Sequence, residues 1–202
     1  MASQRMAQFL FPLLALIFIL LCKALCNEGI CGAKKICPEY FSVVTPNEDF
    51  ETRLYVETRW ITTQVKSQQL SDVMAAHYRL QGFCDRQKAK GHPIPDGYPV
   101  LISAIKAADK LYANMSWFVP NNTEIAITSD TNVWIQTRPM GYVYVRSFGG
   151  VPSWETSIEK GEQLQELVTK AGKSFVANHF FGAVYNSSLE LRKYKEIWIP
   201  AS

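Results

Sequence analysis

The chain has 202 residues, 48% of them apolar, and carries 21 Lys and Arg against 18 Asp and Glu for a formal charge of +3. That length suffices for one domain with its own core. The near balance of charge argues against a partner such as nucleic acid, whose phosphates call for Lys and Arg clustered on one face; the single dense group, Arg86 to Lys90, reads as a solvated turn.

The chain opens with a short segment carrying Arg5, then an apolar run from Phe9 to Leu21. The run is too short for the ~20 residues a membrane-spanning helix needs, and reads as a secretory signal peptide over residues 1–24, with cleavage as late as 26. Loss of Arg5 and Lys23 leaves a formal charge of +1. An irregular arm follows over 25–37, and a domain over 38–202. Cleavage after Ala24 leaves Cys26, Cys31, Cys37 and Cys84, an even set suited to an oxidising, extracellular compartment. Cys37 or Cys31 is expected to tether the arm to Cys84. His77, His92 and His179 are too scattered to suggest a zinc site.

Within the domain, Phe50 to Tyr55 and Trp60 to Val65 are β-rich and joined by a link short enough for a hairpin. From Gln69 to Phe83, apolar residues and His77 recur at three- and four-residue steps, which predicts a helix with one buried stripe. A loop over Asp85 to Gly97 leads to a second hairpin, Tyr98 to Ile105 and Lys110 to Val119. In its second strand Leu111, Ala113, Met115, Trp117 and Val119 alternate with Tyr112, Asn114 and Ser116, predicting one apolar and one polar face. The order then recurs. Strands Val133 to Thr137 and Tyr142 to Phe148 flank a turn, a helix runs from Ser153 to Gly172, and strands Phe180 to Tyr185 and Glu196 to Ile199 close the chain. Ser153 and Glu155 suit the helix N-terminus. The repeated order suggests an α+β domain of two duplicated halves, forming a twisted sheet or distorted antiparallel β-barrel with two flanking helices. Three uninterrupted sequons, at Asn114, Asn121 and Asn186, accord with a secreted glycoprotein.

Three stretches carry a family resemblance. Cys37-Pro38-Glu39-Tyr40, then Asp49 to Tyr55 and Trp60, resembles the opening of SOUL-type haem-binding proteins. Tyr142-Val143-Tyr144-Val145-Arg146-Ser147-Phe148-Gly149-Gly150 resembles the family's hallmark strand and turn, and Glu196-Ile197-Trp198-Ile199 its closing strand. The family usually has Met-Thr shortly before a Pro-Val, where this chain has Asp96-Gly97-Tyr98 before Pro99-Val100. The resemblance implies paired strand-helix-strand units closing a distorted barrel, and a ligand groove along the first helix.

A tetrapyrrole such as haem or a porphyrin requires a flat apolar slot with cationic anchors for its propionates. Val73, Met74, His77 and Leu80 share a face of the first helix, where His77 could ligate haem iron and Met74 could serve only as wall. The bland reading of His77 is a hydrogen-bonded core residue. Arg53, Arg59 and Lys106 are propionate candidates that could equally be surface charges, and Arg146, inside the apolar hallmark strand, reads as half of a structural ion pair. No Gly-x-Ser-x-Gly, His-Glu-x-x-His or phosphate-binding loop occurs, so no enzyme is expected. The leading reading is a non-catalytic extracellular haem or porphyrin binder that sequesters or carries its ligand. Two rivals are a secreted interaction protein of the same fold and a small-molecule hydrolase with a buried pocket acid, for which Glu51 and Glu124 are the nearest candidates.

Overall fold

The computed structural model describes residues 31, 35–43, 49–107, 110–126, 130–149, 153–185 and 195–202, with backbone alone at Lys106, Ala107, Lys110 and Leu111. The expected signal peptide, Cys26 and Asn186 lie outside the described residues.

Among the described residues nine strands and two helices follow in the order β1 (Tyr40–Val43), β2 (Glu51–Tyr55), β3 (Thr58–Val65), α1 (Leu70–Ala89), β4 (Val100–Ala107), β5 (Lys110–Val119), β6 (Trp134–Arg138), β7 (Gly141–Phe148), α2 (Trp154–Lys170), β8 (His179–Val184) and β9 (Lys195–Pro200). All strands join one antiparallel sheet ordered β1-β2-β7-β9-β8-β4-β5-β3-β6. The sheet curls into a distorted α+β half-barrel. Its halves repeat one plan: in the first, β3, α1 and the β4–β5 hairpin; in the second, β7, α2 and the β8–β9 pair. They meet where β4 pairs with β8.

The expected β2–β3 and β6–β7 hairpins do not form. Tyr55 faces Gly141 and Thr58 faces Arg138, so β2 and β3 behave as one long strand against β7 and β6. A two-residue link that stays nearly extended cannot reverse the chain, and the unsatisfied ladder groups of each strand find the other half instead. β1 was not anticipated; it adds to the sheet through pairs such as Phe41 with Leu54.

Each helix covers half of the outer face. Ala76, Leu80 and Phe83 of α1 pack on Ile61, Val65, Met115 and Val119, while Leu164 and Val168 of α2 pack on Ala104, Tyr144, Ile197 and Ile199. Truncating a side chain as enclosed as Leu80 typically costs about 2–5 kcal/mol. Helix α2 starts as expected, with the Ser153 hydroxyl accepting from Thr156 N–H at 3.0 Å, and stops at Gly172, where φ is +70°. Helix α1 runs six residues beyond the expected Phe83, through the Arg86 to Lys90 group read as a turn. Its last turn is held by buried Gln87, whose amide exchanges hydrogen bonds with Ala126 N–H and C=O at 2.8 and 3.2 Å.

The face of β5 read as polar and exposed turns into the barrel. Ser116 is buried there, hydrogen-bonded to Thr62 at 2.9 Å, and Phe118 joins Trp60, Leu101, Phe181 and Trp198 in the inner core. The arm packs on this inner face through Cys31 and Cys37, which form a disulfide with each other. The expected bond to Cys84 is therefore absent. Cys84 belongs to the cluster beneath α1, on the opposite side of the sheet, and is a free thiol. Gly97 pairs with Ile36 of the arm and lies so close to Phe118 that a Cβ would stand 2.3 Å from its carbonyl oxygen.

Candidate functional site: a cleft between the helices

Two helices that each cover one half of a sheet leave the seam between the halves uncovered. A cleft of about 410 Å³ opens there. Its floor is the outer face of β4 and β8, where Ile102 pairs with Gly182 and Ala104 with Phe180, and Gly182 contributes no side chain to fill the space. Leu70 and Val73 from the first turn of α1 form one wall; Trp154 of α2 and Phe148 of β7 form the other. The base holds a cation. Lys195 is buried, pairs with Phe148 across β7 and β9, and sets its ammonium 5.5 Å from the Phe148 ring centroid. Apolar walls around a sheltered ammonium suit a flat apolar ligand bearing a negative group.

The structure separates the four residues expected to share a ligand face. Val73 lines the cleft, Met74 is exposed beside it, and Leu80 is sealed in the core behind α1. A helix stripe of that width divides between the groove and the sheet beneath it. His77 lies one turn beyond Val73 and is half-buried, its ring centroid 5.1 Å from that of Trp117. Trp117 pairs with Val100, and Val100 with the cleft residue Val184, which sets His77 beyond the far rim of the cleft.

The expected propionate anchors lie elsewhere. Arg59 donates to Asn121 and Thr123 carbonyls at 3.4 and 3.2 Å, and Arg53 points into the barrel. Lys106 lies in β4 with its side chain outside the described residues. Arg146, read as half of an ion pair, has no carboxylate partner among the described residues, because it stands half-exposed near Lys160 and Gln163. His92 is 3.6 Å from the exposed Glu124, and His179 packs on Phe181 inside the barrel. The buried cation of the cleft that sequence reasoning missed is Lys195. It shares the strand face of Ile197 and Ile199, and that alternation was the available signal.

A second polar cluster fills one end of the barrel. Arg53 grips Glu196 with two hydrogen bonds, Nη1 to Oε2 at 3.0 Å and Nη2 to Oε1 at 2.8 Å, and reaches Glu51 at 2.7 Å. Tyr185 Oη and Trp198 Nε1 also donate to Glu196, at 2.8 and 2.6 Å. Aromatic rings enclose the pair: Tyr40 lies 4.5 Å from the guanidinium, and Tyr55 and Trp198 have centroids 4.8 Å apart. Burial opposes the charge on Arg53, but Glu51, Tyr55 and Glu196 together hold it firmly protonated. Burial likewise pushes the Tyr185 phenol far up, with Tyr55 and Glu196 adding to it. Of the two acids weighed from sequence, Glu51 joins this cluster and Glu124 is on the surface; the enclosed acid is Glu196.

An α+β half-barrel built from two like halves, with an apolar cleft at their seam, defines the class of domain. The family described as SOUL heme-binding protein matches residues 35–200, and the chain belongs to that family. It is 25% identical over 158 residues to heme-binding protein 2 of Mus musculus, covering 74% of this chain and 77% of that protein. Among solved structures it resembles the EcmrR C-terminal domain, with a TM-score of 0.54 at 12% identity, covering 81% of this chain and 98% of that one. A hydrolase from Listeria innocua gives 0.51 at 11% identity, covering 78% and 94%. At such identities the likeness of the two structures is one of fold alone.

Proposed function

We propose that this protein binds haem or a related tetrapyrrole in the cleft between α1 and α2, extracellularly and without catalysing a reaction. The observation that carries the reading is the cleft itself, largely apolar on floor and walls, with Glu155 and Ser157 also in its lining and Lys195 buried at its base, in a chain of the SOUL heme-binding family. The macrocycle lies on Ile102, Phe180 and Gly182 between Leu70 and Val73 on one side and Trp154 and Phe148 on the other. Lys195 would donate to a propionate. His77, beyond the far rim and beside Trp117, is the residue that would supply an imidazole nitrogen to the iron. The absence of catalysis is inferred from Glu196, whose carboxylate already accepts four hydrogen bonds from Arg53, Tyr185 and Trp198. An acid so engaged has little room left to hydrogen-bond a substrate.

The test is a haem titration of the secreted chain, followed at the Soret band beside His77→Ala and Lys195→Met. The wild type gives a saturable, red-shifted band, His77→Ala loses the shift, and Lys195→Met binds about tenfold more weakly. Affinity no greater than that of an unrelated protein overturns the reading. Expression of the full chain, with N-terminal sequencing of protein from the medium, tests secretion: the mature chain starts at Leu25 or as late as Asn27. The interaction-protein reading draws on one observation, the exposed apolar row Leu70, Met74 and Tyr78 on successive turns of α1, with Leu70 75% exposed. It gains if haem fails to bind.

A further inference from the structure

The inner face of the barrel holds two arginines in contrasting surroundings. Arg53 has two carboxylates. Arg138 of β6 has none among the described residues: its guanidinium donates from Nη2 to the Gln136 side-chain oxygen at 3.4 Å, and its buried Nε has no acceptor. The guanidinium lies 4.3 Å from the Phe181 ring centroid and 5.8 Å from that of Trp60. His179 is on the same side, its ring 4.5 Å from Phe181. Burial lowers the Arg138 pKa to about 10, and burial together with Arg138 lowers that of His179. A cation that is half-buried, stacked on aromatic rings and uncompensated leaves a local excess of positive potential.

Two exposed aromatic residues lie on the same face of the sheet. Strand register puts Trp134 and Thr62 opposite one another beyond Gln136, and Tyr112 opposite Ile105, which in turn faces His179. Trp134 and Tyr112 are exposed on this face, and neither helix reaches it, because both pack on the other side of the sheet. The site is thus separate from the cleft, with the sheet between them.

We propose that Arg138, backed by Phe181 and Trp60, is the anchor of a second binding site, on the inner face, for a small carboxylate carried on a flat apolar body. The planar guanidinium presents its N–H edge to the carboxylate in a bidentate fork, and the exposed rings of Trp134 and Tyr112 receive the flat body. No covalent step is involved.

The experiment is calorimetric and tryptophan-fluorescence titration of the secreted chain with 1-naphthoate, against the uncharged 1-naphthamide. The expected result is saturable binding of naphthoate about tenfold tighter than naphthamide, a preference lost in Arg138→Gln. Trp134→Ala, at an exposed position, weakens naphthoate binding and serves should Arg138→Gln not fold. Saturation with haem leaves the naphthoate isotherm unchanged, which keeps this site distinguishable from the outer cleft. Equal affinity for the two probes, no saturable binding up to millimolar naphthoate, or an unchanged preference in folded Arg138→Gln overturns the proposal. Displacement of naphthoate by an equal concentration of inorganic phosphate also overturns it, since the site would then make no use of the ring.

Discussion

Arg53 and Glu196, 143 residues apart, are joined by two parallel hydrogen bonds inside the barrel, with side chains only 3% and 0% exposed. The pair spans β7 to connect β2 with β9, fastening the start of the domain to its end. Substitution of Arg53 leaves Glu196 buried with no countercharge, only the hydrogen bonds of Tyr185 and Trp198, and substitution of Glu196 leaves Arg53 with the part-exposed Glu51 alone; breaking such a buried pair typically costs about 3–5 kcal/mol. Arg53→Met and Glu196→Gln are each expected to lower the urea midpoint strongly. The double variant recovers part of the loss, and the coupling is read from the four-way cycle.

Acid weakens this cluster through Glu51. Burial raises its pKa, but hydrogen bonding and charge from Arg53, with a further hydrogen bond from Ser42, outweigh that and leave it below the ordinary 4.5. A carboxyl whose folded pKa is depressed stabilises the fold above its unfolded pKa, and that stabilisation fades as pH falls through the folded value. Unfolding free energy measured from pH 6 downward should therefore fall below about pH 4.5. The fall is shallower in Glu51→Gln. Because the Glu51 side chain is 37% exposed, added salt reduces the difference between the two curves.

The Cys84 thiol is pushed up to about 11, chiefly by burial, with Asp85 and Asp96 adding to it. At pH 8 the thiolate is then scarce, so labelling by Ellman's reagent in the native protein runs well behind that of an exposed cysteine. Unfolding removes the difference. Non-reducing peptide mapping is expected to find Cys31 linked to Cys37 and Cys84 alkylatable; a Cys84 crosslink to the arm would contradict both results.

The sequons are not equivalent. Asn121 is exposed in a turn after β5, whereas Asn114 is half-buried in the middle of β5, paired with Ser103 and Gln64 on the inner face. Oligosaccharide transfer needs an accessible acceptor, so if the chain is secreted as proposed, mass spectrometry of protein recovered from the medium should show higher occupancy at Asn121 than at Asn114. Asn121→Gln then removes a discrete mass increment on a gel, while Asn114→Gln changes little.

Much of this architecture is legible in the amino-acid order. The 3.6-residue rhythm of α1 and α2, the Ser153 cap, the Gly172 stop and the alternation of β5 all act locally, and local signals survive in one dimension. What escaped is long-range. Nothing near Glu196 in sequence announces Arg53, and alternation along β5 shows that it has two faces without showing that Ser116 turns inward. The last turn of α1 was hidden because its stabilising contact is a side-chain amide on a distant loop, made by Gln87, rather than another apolar residue on the stripe. In the cleft, Val73 could be anticipated from its helix face and the face of Lys195 from its alternation with Ile197 and Ile199, but the placing of Phe148 beside Lys195 required knowing that β7 lies beside β9.

The shared register across the breaks in β2–β3 and β6–β7 ties two distant stretches of chain to a common length. Val56-Glu57 and Pro139-Met140 interrupt the ladder by the same number of residues on each side, which is why pairing resumes in step from Tyr55 with Gly141 to Thr58 with Arg138. Deleting one residue from either link would rotate everything beyond it to the opposite face, carrying Trp60 and Arg138 out of the interior or Ile61 into it. Insertions and deletions at these links are tolerated only as matched pairs, and related chains should gain or lose residues at both places together or at neither.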